Sequence, residues 1–393
     1  MTDAGRPTPA HRPGGPDAAD AGSTEAAADA GPVHRPAAAV AVAGPHRGTV
    51  HVVLPGDIDD PATPSGGNAY DRRVCAGLGE SGWVVREHAT PGTWPHPDLA
   101  ARAALAGLLA ALPDDAVVLV DGLIASTVPD LLAPHARRLR LVVLVHMPLD
   151  DEVEAEGRAL ATARAVVTTS EWTRRRLLAR HWLSADRVRV APPGVTPAPP
   201  APPGSATGHR LLCVAAVTRH KGHDVLVDAL CVLAETQWTL VCAGTLTREP
   251  ELVRRLRDRL AGAGLAERVR LAGPLTGTAL DAAYDAADLL VLPSRGETYG
   301  MVVTEALARG VPVLGTQVGG LPEALGRAPD GDLPGLLVPP DDPAALAGAL
   351  SWWWGDEELR ARLRRAALAR RDTLTDWPAT TARLAAVLEE VAE

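Results

Sequence analysis

Short apolar runs alternate with stretches of helical period along most of this chain, and the alternation occurs twice, on either side of a Pro/Ala/Gly run at 192–208. In the first series, strand-length apolar runs fall at 50–54, 82–88, 116–121, 141–146, 165–169 and 187–191, with helical spacing at 68–80, 98–111, 128–139, 152–163 and 171–181. The second series starts afresh with strands at 211–217, 239–243, 269–272, 288–293 and 311–314, and helices at 223–235, 249–262 and 277–286. Such alternation predicts α/β domains built on parallel, doubly wound sheets, and the intervening run reads as a semi-rigid linker at a domain boundary. Three further helices are predicted at 343–354, 356–372 and 378–392.

The most chemically specific corner of the second series is Asp288-Leu-Leu-Val-Leu-Pro293 followed by Arg295-Gly-Glu-Thr-Tyr-Gly300 and a helix through Glu305. A strand, a glycine-containing loop and a helix start place this corner at the carboxyl end of the sheet, where α/β folds bind ligands. Free amides at the helix start can hold an anion, and Glu297 and Glu305 bracket the turn. Two carboxylates beside a phosphate-friendly helix end suit a ligand that carries both hydroxyls and phosphates. Taken alone, the same residues serve equally well as a loop charge and a solvated helix residue.

Other corners repeat the pattern. Ser65-Gly66-Gly67 leads into a helix with Asn68 as a candidate N-cap, and the glycines let the backbone approach a ligand; a plain glycine turn is the alternative. This turn carries neither the G-x-G-x-x-G spacing of a dinucleotide fingerprint nor that of a P-loop. His146 ends the strand Leu141–Val145, facing the crevice of an open sheet, where it is either functional or structural. Arg219 and Lys221, beside Gly222 at a helix start, make a positive site for a diphosphate or else a solvated basic loop.

Composition narrows the class. A chain of 393 residues that is 46% hydrophobic can bury two cores, and its net charge of −9 argues against a general nucleic-acid binder. Cys75, Cys213, Cys231 and Cys242 show no metal-binding or disulfide spacing and read as reduced thiols of a cytoplasmic protein. Residues 1–45 contain almost no large apolar side chains and are expected to be disordered, without a secretory signal or membrane span. The Trp352-Trp353-Trp354 run reads as packing, with an interfacial membrane anchor as the alternative.

Taken in order, these segments resemble the retaining glycosyltransferases of family 4 (glycosyl transferases group 1), whose GT-B architecture sets two Rossmann-like domains face to face. The resemblance runs from about 48 to 393 and rests first on Gly296-Glu-Thr-Tyr-Gly300 through Glu305. Gly310-Val-Pro-Val313 and Val318-Gly-Gly-Leu-Pro-Glu323 extend it. Lys221-Gly222-His223, Ser65-Gly66-Gly67 and His146-Met147-Pro148 match further family steps. The family's Gly-Arg pair upstream of the lysine is absent; Ala215-Ala216-Val217 stand there, with Arg219 the nearest arginine.

The resemblance implies an acceptor-side domain at 46–191, a linker at 192–209, a nucleotide-sugar domain at 210–377, and a helix at 378–393 crossing back to complete the first. It also implies transfer of a sugar from a nucleoside diphosphate donor with retained configuration, using no cofactor. No metal is expected, since no Asp-x-Asp is placed as a metal clamp and cations can stabilise the leaving diphosphate. The implied catalytic set is His146, Arg219, Lys221 and Glu297; donor contacts extend to Gly66, Gly67, Tyr299, Gly300, Met301, Val302 and Glu305. The acceptor, whether small molecule, glycan or lipid, is unassigned, and family members often work at membrane surfaces; the acidic balance favours a soluble acceptor. Epimerase-like chemistry on the same architecture, or non-catalytic nucleotide-sugar binding, are the alternatives.

Overall fold

The computed structural model describes residues 47–60 and 64–393; the expected disordered segment 1–45 lies outside the described residues, as do 61–63 of the first glycine loop. The first half runs β1 (Gly48–Pro55), α1 (Gly66–Glu80), β2 (Trp83–Thr90), α2 (Leu99–Ala111), β3 (Val117–Asp121), α3 (Gly122–Ala125) and α4 (Pro129–Leu132). It continues with β4 (Arg140–Val145), α5 (Val153–Thr162), β5 (Ala165–Thr168), α6 (Glu171–Arg180) and β6 (Val188–Val190). The second half begins β7 (Arg210–Val214), α7 (His223–Val232), β8 (Thr239–Ala243), α8 (Pro250–Gly262), β9 (Val269–Gly273) and α9 (Gly277–Asp285). Then come β10 (Leu289–Leu292), α10 (Met301–Ala308), β11 (Val313–Thr316), α11 (Leu321–Leu325), β12 (Gly335–Val338), α12 (Pro343–Gly355), α13 (Glu357–Arg370) and α14 (Trp377–Ala392).

Each half holds one six-stranded sheet, ordered β2-β1-β3-β4-β5-β6 and β12-β11-β10-β7-β8-β9, and every pairing is parallel. Strand order reverses between β1 and β3 in the first sheet and between β7 and β10 in the second. Loops leaving the carboxyl ends of such neighbours diverge and open a crevice.

Parallel sheets covered on both faces need near-continuous apolar strands, as seen in Leu141–Val145 and Leu289–Leu292. In the first half, Val50, Val52 and Leu54 pack with Leu384 and Leu388 of α14, while Val53 and Val118 pack on the other face with Leu105 and Leu109 of α2. The last helix therefore returns to the first sheet. Asp376 caps it, accepting from Ala379 N–H at 2.8 Å.

Several expectations shift. The helix expected at 128–139 breaks after Leu132 into a short 3-10 turn, because Pro134 cannot supply the N–H that a continued helix requires. Ser65, not Asn68, caps α1, its hydroxyl accepting from Asn68 N–H at 3.0 Å, so Gly66 and Gly67 form the first helical turn. The basic helix α8 is amphipathic, burying Leu252, Val253, Leu256 and Leu260. The 192–208 run is strapped to the second half: Arg371 donates to Ala198 C=O, Arg364 to Ala201 and Pro202 C=O, and Asp288 accepts from Ser205. Trp353 and Trp354 both donate to Gly208 C=O, so only Trp352 of the tryptophan run is left half exposed. Among the described residues no helix is long and apolar enough to cross a membrane.

Candidate active site

Lys221, Glu297 and Glu305 stand on the loops and helix that follow β7 and β10. From the end of β7 the chain enters a 3-10 turn at Arg219–Lys221, then Gly222 at φ +69°, where a Cβ would collide with Pro293 C=O. Only glycine suits that left-handed, backbone-packed position, and it carries Lys221 against the loop after β10. There the Lys221 Nζ lies 2.6 Å from Glu297 Oε1, with the two side chains 28% and 9% exposed. Ser294 Oγ donates to the same oxygen at 2.8 Å. The loop is fixed from behind, since Glu297 C=O accepts from Gly320 N–H at 2.8 Å and Thr316 Oγ1 donates to Ser294 C=O at 2.5 Å.

Gly300, at φ +98°, turns the chain into α10. Val303 N–H is taken by Gly300 C=O at 2.9 Å, which leaves the Met301 and Val302 amides at the helix mouth. Glu305 sits just over one turn into the helix. Its Oε2 accepts from Tyr284 OH at 2.8 Å. Burial raises the Glu305 carboxyl above its ordinary value against the pull of that hydrogen bond, and burial with the nearby Glu305 charge pushes the Tyr284 phenol well up.

Two further residues of the expected set sit elsewhere. Tyr299 is 8% exposed and packs in the core beneath the loop with Leu292 and Val303, and burial pushes its phenol up to about 12. Arg219 lines a cleft between α7 and α8 with Asp224, Asp228, Arg255 and Arg259, and its backbone N–H donates to Glu249. Arg295, a second cation in the loop, is engaged bidentately by Asp224 at 2.8 and 2.9 Å and is an anchor.

The first half offers its own carboxyl edge. A Cβ built on Gly66 would lie 3.5 Å from Met301 Sδ, so the mouths of α1 and α10 meet. Nearby, Glu323 of α11 accepts from the backbone N–H of Glu171 and Trp172 at 3.0 and 3.2 Å, capping α6 across the two halves. His146 lies beside Gly67, with Nε2 2.8 Å from Asp71 Oδ1 and 3.6 Å from Asp121 Oδ2. Burial works to lower its pKa, but the Asp71 charge and hydrogen bond, with Asp121, raise it to about 9. Asp121 is pushed up to about 7 by burial and by Asp71. Residue types alone did not single out Asp71 and Asp121; the available signal was that Asp71 follows Gly67 by one helical turn and Asp121 ends a strand.

Comparison with known proteins shows what this chain is similar to. The family described as Glycosyl transferases group 1 matches residues 208–356. A D-inositol 3-phosphate glycosyltransferase of Jonesia denitrificans is 38% identical over 174 residues, covering 43% of this chain and 40% of that protein. Its counterpart in Acidothermus cellulolyticus is 35% identical over 237 residues, covering 55% and 51%. The matches thus span about half the length of these curated relatives. Across both halves the fold is GT-B. Sucrose-phosphate synthase from Thermosynechococcus elongatus superposes with a TM-score of 0.71 at 21% identity, covering 87% of this chain and 98% of that one. Anabaena HepE in complex with UDP-glucose superposes with a TM-score of 0.69 at 17% identity, covering 87% and 99%.

Proposed function

We propose that this protein is a retaining glycosyltransferase that moves a sugar from a nucleoside diphosphate sugar to an acceptor hydroxyl without a metal. The observation that carries the reading is the Lys221–Glu297 contact at 2.6 Å, set beside the mouth of α10 inside a group 1 domain. The chemical problem is the charge that builds on a departing diphosphate. Lys221 and the Met301 and Val302 amides supply fixed positive ends where that charge develops. Glu305, held by Tyr284, accepts from ribose hydroxyls, and Glu297 accepts from hydroxyls of the donor sugar. His146 serves from the opposite half. With Arg219 lining the cleft between α7 and α8, Lys221 is the cation assigned to the diphosphate.

Solved neighbours of the same fold hold UDP or UDP-glucose, which supports a nucleotide sugar donor. The relatives' name, D-inositol 3-phosphate glycosyltransferase, makes a polyol or its phosphate the first acceptor class to try. Purified protein is incubated with UDP-, GDP- and ADP-sugars and such acceptors, following nucleoside diphosphate release and resolving the product anomer by NMR. One donor is expected to support transfer with retained configuration, insensitive to EDTA and lost in Lys221→Ala. Binding without release or transfer, or an inverted product, would overturn the reading.

A further inference from the structure

Behind His146 lies a buried polar group that donor binding does not use. His146 follows β4, Asp121 ends β3 in register with Leu144, and Asp71 lies on α1 four residues after Gly67. These positions converge at the reversal point between β1 and β3. Gly67 packs on the imidazole, since a Cβ there would sit 3.4 Å from His146 Cδ2. The Tyr70 ring meets it edge-on at 5.1 Å between centroids, and Thr169 Oγ1 donates to His146 C=O at 3.4 Å.

Both carboxylates are shut away from solvent, Asp71 at 2% and Asp121 at 4% exposure. Asp121 Oδ1 accepts from Leu123 N–H at 2.6 Å, whereas Asp71 Oδ2 has no hydrogen-bond partner among the described residues. Two buried carboxylates this close are not stable with both charges uncompensated. A positive imidazole, 2.8 Å from Asp71 and 3.6 Å from Asp121, offsets that charge. An ion held among them is the other way to neutralise the carboxylates, and the metal content of the purified protein distinguishes the two.

We propose that Asp71 is a positioning residue: its carboxylate, backed by Asp121, fixes the His146 ring with Nε2 turned inward and Nδ1–H left to donate to a substrate oxygen. The inference deepens the transferase reading and rests on it. His146 Nδ1 has no protein partner among the described residues, and the ring is 14% exposed, so this is the nitrogen a ligand can reach. Held as an imidazolium, the ring acts as a hydrogen-bond donor to a sugar hydroxyl or phosphate oxygen and does not take the acceptor's proton. Without Asp71 the ring is free to turn and to lose its proton near neutral pH.

The titratable groups facing the ring are Asp71 and Tyr70 of α1 and Asp121 at the end of β3. The test is an NMR titration of His146 in the donor-free protein, alongside the pH profile of kcat/KM. In the wild type the ring is expected to titrate at about 9, with activity falling through the same limb. Asp71→Asn is expected to move that limb down by at least about one unit and to lower kcat by about tenfold or more, with Asp71→Glu restoring part of both. An unshifted His146 in Asp71→Asn, or activity that rises as the ring loses its proton, would overturn the proposal. Stoichiometric divalent metal in the purified protein, lost on Asp71→Asn, would also overturn it. If Asp71→Asn does not fold, a wild-type His146 titrating at or below its ordinary value of 6.5 overturns it alone. A wild type inactive with every donor but with His146 titrating high would sink the transferase reading and leave the Asp71 contact standing.

Discussion

Removing the Lys221 ammonium separates what the pair does for the fold from what it does for chemistry. Lys221→Ala leaves Glu297, 9% exposed, with Ser294 as its remaining hydrogen-bond donor among the described residues. Breaking a fully buried pair costs about 3–5 kcal/mol, while an exposed one contributes under about 1. With Lys221 at 28% exposure this pair falls between them, so about 2 kcal/mol is expected. At about 2.1 cal/mol/K per residue over the whole folded unit, that is a fall in Tm of roughly 3 °C, read by calorimetry. Loss of one cation facing the leaving diphosphate is expected to lower kcat/KM by about 10²–10³-fold. The double variant Lys221→Ala with Glu297→Gln removes the stranded charge and should recover most of the stability, yet none of the turnover. If turnover returns with stability, or Lys221→Ala alone stays within about threefold of wild type, the pair is scaffolding and the reasoning fails.

Three other outcomes follow from the geometry. Glu323→Ala removes two charge-assisted bonds across the halves, worth together about 1 kcal/mol at this exposure; small-angle scattering should show a larger radius of gyration, and an unchanged radius would count against a latch. Tyr284→Phe strips the buried Glu305 carboxylate of its donor and should weaken nucleoside diphosphate binding about tenfold by calorimetric titration, whereas unaltered affinity would remove Glu305 from the site. The folded pKa of His146, about 9, lies above its ordinary 6.5, so its contribution is full below 6.5 and lost as pH rises through 9. Asp121, raised from 3.8 to about 7, adds a loss of the same sign at lower pH. Wild type should therefore lose more stability than His146→Gln between pH 6 and 9, by at most about 3 kcal/mol; parallel melting curves would contradict the cluster.

The fold was legible because its strands are nearly all apolar. Leu289–Leu292 and Val142–Val145 read as central strands of a covered parallel sheet, and Gly222 and Gly300 mark loops that need left-handed backbone. What escaped has physical causes. β12 is four residues between prolines, too short to show a period. Pro134 was read through because the surrounding leucines keep helical spacing. The Arg364 and Arg371 straps on the linker join residues more than 160 positions apart, and no local pattern encodes them. Lys221 and Glu297 came from motif chemistry, and their contact is tertiary. Asp71, Asp121 and His146 lie on three separate segments, so only the sheet's reversal point brings them together.

The account stands most directly on where a donor sits. A crystal structure of the protein soaked with the nucleoside diphosphate sugar it turns over should show the diphosphate within hydrogen-bond reach of Lys221 Nζ and the Met301 and Val302 amides, with a ribose hydroxyl on Glu305. A donor bound away from the mouth of α10, or a diphosphate that leaves Lys221 on Glu297 without contact, would contradict it.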